Sequence, residues 1–149
     1  MLVLVFASLA GAADAPVATV TAGVGLAELL HVEAGWLPRD DLEVHLRAGT
    51  VVFNVLVGPG VTWRAMGDPR GHAWIWSGYL RVNPWAEPFG LVSGGETLRA
   101  TTEVYTGYAY TAQGGFLVRA RGGALVYLDD GLAAGPNVNV SLGYAFGGR

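Results

Sequence analysis

No cysteine occurs in the 149 residues, so disulfides, thiolate metal sites and cysteine nucleophiles are excluded. Lysine is missing as well, and all nine basic residues are arginine, the first of them Arg39. A chain without a lysine-rich surface or a basic run has no footprint for nucleic acid. Charge of either sign is scarce: 14% of residues are charged, against about 25% in an ordinary soluble domain. No stretch approaches the roughly 20 uninterrupted apolar residues that a spanning helix needs, and no segment has a helical period. If this chain meets a membrane, it does so with strands.

What is present is alternation. Val20, Ala22, Val24 and Leu26 oppose Thr19, Thr21, Gly23 and Gly25; Leu30, Val32, Ala34 and Trp36 oppose His31, Glu33 and Gly35. After the turn signal at Pro38 to Asp41, Leu42, Val44, Leu46 and Ala48 oppose Glu43, His45, Arg47 and Gly49. A slip of phase between Gly49 and Phe53 reads as a loop. The following strand runs to Ala65, with Pro59 as a bulge or interruption. Trp74 to Val82, Val104 to Tyr110, Phe116 to Leu128 and Asn137 to Phe146 complete the count at eight, with loops over Asn83 to Arg99 and over Asp129 to Pro136. Period-2 runs bounded by Gly, Pro and Asp are strands. Eight antiparallel strands close without leaving edges, so the expected fold is all-β, a closed up-and-down transmembrane barrel. Residues 1–15, MLVLVFASLAGAADA, read as a signal peptide or its remnant, and 16–149 as a single barrel domain.

Alternation alone does not say which face is wet. A soluble, lipocalin-like barrel around a small hydrophobic ligand would leave Gly, Thr and Ala as its outer surface, which is odd for a solvated sheet. With the apolar face outward, the interior holds Glu33, Glu43, Glu103, Arg47, Arg64, Arg119 and Arg121, with glycines leaving them room. The aromatic residues sharpen the choice. Trp36, Trp63, Trp74, Trp76, Tyr110, Phe116, Tyr144 and Phe146 all lie on the apolar phase at the end of the short turns, where a lipid-water interface favours amphipathic rings.

This pattern resembles the small eight-stranded outer-membrane barrels of Gram-negative bacteria, the OmpA and OmpX type, over residues 18 to 146. The resemblance implies residence in the cell outer membrane, contact with its lipid, short periplasmic turns and longer extracellular loops. It also implies a last strand ending in an aromatic residue read by the outer-membrane assembly machinery. Val138, Val140, Leu142, Tyr144 and Phe146 match that ending, and Gly147-Gly148-Arg149 departs from it.

The charged set reads as a structural network neutralising buried ions in preference to a narrow, gated pore, because eight strands leave little open lumen. His31 and His45 share the inward phase, but two histidines without a third ligand are a weak metal signal. A lipid-modifying enzyme would need a serine with a histidine and a carboxylate beside it. Ser77, Ser93 and Ser141 show no such partners in sequence, so neither catalysis nor a cofactor is expected. Trp85 and Phe89, between two prolines in the longest loop, form a candidate binding patch for an extracellular partner the sequence does not identify.

Overall fold

The computed structural model describes residues 17–26, 28–51, 54–68, 70–83, 100–128 and 133–147. Eight strands follow in chain order: β1 (Val17–Gly25), β2 (Leu30–Arg39), β3 (Leu42–Val51), β4 (Asn54–Gly67), β5 (His72–Val82), β6 (Ala100–Thr111), β7 (Phe116–Tyr127) and β8 (Ala133–Phe146). Each pairs antiparallel with its sequence neighbours, and β8 returns to β1, so the sheet is a closed up-and-down barrel. Following paired positions once round returns to the line of β1 about ten residues further along, a stagger that tilts the strands by roughly 40°.

The side-chain phase of every strand is the one the alternation predicts. On β5, where the contrast in sequence is poorest, Trp74, Trp76, Leu80 and Val82 face out, and Ala73, Ile75, Ser77, Tyr79 and Arg81 face in. The ends of several strands differ from expectation. β3 continues to Val51 in unbroken register with β4, so the connection between them starts two residues later than the phase slip at Gly49 suggests. β2 continues through Pro38 to Arg39 with an irregularity between Trp36 and Arg39, leaving Asp40 and Asp41 as the turn.

β8 begins at Ala133, four residues earlier than the turn residues suggest, because Pro136 is placed where it costs no hydrogen bond. Val138 turns its carbonyl toward Leu26 on the β1 side. Alternation along the ladder points the missing N–H of Pro136 the same way, beyond the last β1 pair at Gly25 and Asn139. At Pro59 the ladder to β5 lapses and resumes at Gly60 in the same register, so β4 is neither bulged nor broken there. Its irregularity falls between Arg64 and Met66.

Ala73, Ile75 and Ala109 cluster inside the barrel at the end of the short turns, and Leu37 and Leu117 are buried at that same end. Above this apolar layer the interior is mostly polar, with Leu56 and Leu125 buried toward the loop end.

Candidate functional site

The inward residues of β2, β3, β5, β6 and β7, with Glu28 from the β1–β2 connection, bring four carboxylates and four guanidinium groups into one buried set: Glu28, Glu33, Glu43 and Glu103 with Arg47, Arg81, Arg119 and Arg121. Each is at most 3% exposed. They alternate in sign along the lumen. Nearest the apolar layer, Arg119 pairs with Glu43, whose other oxygen accepts a hydrogen bond from Thr19 Oγ1 at 2.6 Å.

Glu33 is the hub of the middle level. Arg121 Nη2 donates to its Oε1 at 2.5 Å, Arg47 Nη1 lies 3.2 Å from the same oxygen, and Arg119 Nη1 donates to Oε2 at 3.4 Å. The Tyr79 hydroxyl donates to Glu33 at 3.2 Å and accepts from Arg121. Its ring carries the Arg47 guanidinium 4.8 Å from the centroid, a desolvated cation-π contact.

At the loop end Glu28 pairs with both Arg47 and Arg81, and Arg81 with Glu103. Tyr105 donates to Glu103 at 2.6 Å and accepts from Asn137 at 2.6 Å. Thus Glu43, Arg119, Glu33, Arg47, Glu28, Arg81 and Glu103 form one continuous chain, with Arg121 branching at Glu33.

Burying one ion costs several kcal/mol even after relaxation. The set is tolerable because acids and bases are equal in number and hydroxyls fill the remaining acceptor positions. Space comes from close approach to the backbone. A Cβ at Gly35 would stand 2.3 Å from Glu43 Oε1, and one at Gly49 only 1.6 Å from Glu28 Oε1.

Of the seven charges read from the sequence as the lumen network, the structure brings together Glu33, Glu43, Arg47, Glu103, Arg119 and Arg121. Arg64 stands at the edge of the set: it is half-buried at the rim beside the β4 irregularity, donates to the Asp40 carbonyl at 2.7 Å, and is electrostatically coupled to Glu43. Four participants were missed, among them Tyr105 on the inward phase of β6. Arg81 and Tyr79 sit on the inward phase of β5, so their signal was present. Glu28 lies in the connection between β1 and β2, where no periodicity marks it.

His31 and His45 stand at different levels, opposite Gly49 and Gly35. His31 lies 3.4 Å from Glu28 and 3.9 Å from Glu33. His45 Nε2 contacts Thr62 Oγ1 at 2.9 Å, which contacts Ser77 Oγ at 2.8 Å, all buried. Among the described residues no group of three or more His, Asp or Glu is arranged to hold a metal.

The outer face is the converse of the inner. Twenty-four large apolar side chains are exposed on the described residues. Near the short turns Trp63 pairs with Trp76, Trp74 with Tyr108, and Phe116 with Tyr144 across the strands; the Tyr144 and Phe146 rings lie 4.9 Å apart. With Trp36, these rings come from every strand except β1 and β3 and encircle one level of the barrel. Tyr110 and Phe146 are half-buried, and His72 joins the ring through the Tyr108 hydroxyl and the Tyr110 face. Trp85 and Phe89 lie outside the described residues, as do residues 1–15.

A closed eight-stranded antiparallel barrel with an inward polar face and an outward apolar one is the architecture of the small outer-membrane barrels, the OmpA and OmpX type. Among solved structures it is similar to the crystal structure of the N-terminal β-barrel domain of Pseudomonas aeruginosa OprF, with a TM-score of 0.63 and 18% sequence identity over 88% of this chain and 96% of that one. At that identity the likeness is one of fold. No protein-family model and no curated protein matches the sequence.

Proposed function

We propose that this protein is a non-enzymatic integral barrel of the bacterial outer membrane, whose lumen is a structural ion-paired core and whose role lies in what its loops present outside the cell. The observation that carries the reading is the inversion of faces. Eight buried ions fill the inside while apolar side chains cover the outside. In water the exposed apolar face would be an aggregation surface; in a bilayer it is the surface that solvation requires. The outward run on β5 from Trp74 to Val82 rises on the order of 20 Å along the barrel axis, close to the apolar band of such barrels.

A soluble barrel for a hydrophobic ligand would need an apolar interior, and the ions occupy it. Lipid is then the standing partner, and the assembly machinery the transient one. β8, which closes the barrel against β1, carries Tyr144 and Phe146 toward the outside at its end. The residue that follows, Gly147, is held by Arg70 Nη2 to its carbonyl at 3.1 Å.

Heat-modifiable migration on detergent gels, together with planar-bilayer recording, tests the reading. A folded form that runs faster than the boiled one and carries no large, stable conductance is expected. A lasting open conductance would refute the structural lumen.

A further inference from the structure

The outer wall is not evenly convex. On its loop-end half a trough of about 630 Å³ crosses β1, β2 and β3 and reaches β8 and β4, within the size range of small-molecule sites. Ala22 and Ala48 form its floor, flanking Val32 in one cross-strand row. Val24, Val140 and Leu142 line it on the β1–β8 side and Val55 on the β4 side.

We propose that this trough binds one hydrocarbon chain of a membrane lipid from the loop-end leaflet. The inference rests on the membrane reading above and goes further, because it separates one site from the general lipid contact of the wall. A trough lined almost wholly by aliphatic groups gains nothing from water. A chain lying in it touches floor and both sides, where a chain against the convex wall touches one side only, and dispersion contacts add with each methylene. The trough is continuous with the exposed Leu26, Leu29 and Leu30 at the loop-end rim, an apolar path from headgroup level. Among the described residues no arginine faces outward at that end: Arg39, Arg64 and Arg70 belong to the short-turn end, and the others are inside. The lining offers hydrocarbon contacts, so recognition is through the acyl chain.

The test uses the full chain, methyl-labelled and otherwise deuterated, in nanodiscs of dimyristoyl phosphatidylcholine. The reading is the intensity of nuclear Overhauser cross-peaks from acyl-chain methylenes to Val24, Val140 and Leu142, against Leu80 and Val104 on the opposite wall. Severalfold stronger cross-peaks in the trough are expected, falling to the control level in Ala48→Leu, which fills the floor. Equal intensities at all five methyl positions would overturn the proposal. So would cross-peaks between differently labelled copies in the trough, which would make a second barrel the occupant. Loss of acyl cross-peaks at Leu80 and Val104 as well would instead refute the membrane reading, and this site with it.

Discussion

Glu33 is the residue whose loss the lumen tolerates least. Three guanidinium groups lie within 3.4 Å of its carboxylate, and it is 3% exposed. Glu33→Gln keeps the shape and removes the charge, leaving Arg47, Arg119 and Arg121 with one fewer counter-ion. Breaking a buried pair in this way costs about 3–5 kcal/mol. Arg121→Met removes a base from the same hub, and the double variant restores equality of buried acids and bases. The two changes together should therefore cost less than their sum, by on the order of 1–3 kcal/mol. Urea unfolding from phosphatidylcholine vesicles, followed by tryptophan fluorescence and by heat-modifiable mobility, reads all four corners of the cycle. A Glu33→Gln protein within about 1 kcal/mol of wild type, or a strictly additive double variant, would refute the claim that these ions stabilise one another.

Gly49→Ala places a methyl group on the Glu28 carboxylate and should destabilise by about 1–3 kcal/mol in the same assay, as overpacking does. Arg64→Ala, which removes a half-buried rim contact to a carbonyl, should cost about 1 kcal/mol or less, far below the cost of Arg119→Ala; equal losses would place Arg64 within the network. Phe146→Ala should lower the amount of barrel assembled in the outer membrane in cells while leaving refolding into vesicles unchanged. A loss of both would mean that the ring acts in stability and not in assembly.

The barrel was legible because its two faces have opposite chemistry, and a period of two then marks every strand. The places where the sequence misled are those where backbone geometry decides. Pro59 and Pro136 read as breaks, and each is accommodated where a ladder hydrogen bond is absent. The phase slip between Gly49 and Phe53 reads as a loop two residues too early, because β3 stays paired with β4 as far as Val51, with the Glu28 carboxylate lying over Gly49. In the candidate site, phase alone found six of the strand-borne charges. Arg81 was equally in phase, but the weak contrast of β5 hid it. Arg64 was in phase and lies at the rim of the set, beside the β4 irregularity, with its hydrogen bond going to the Asp40 carbonyl. Glu28 could be found only in three dimensions, because a connection has no period and its partners Arg47 and Arg81 are distant in sequence.

The central claim is that the apolar face of this barrel meets lipid. Density-gradient fractionation of cells expressing the full chain, with washing in the absence of detergent, tests it most directly. The account predicts that the protein sediments with the outer membrane and leaves it only when detergent is added. Recovery in the soluble periplasm without detergent would contradict it.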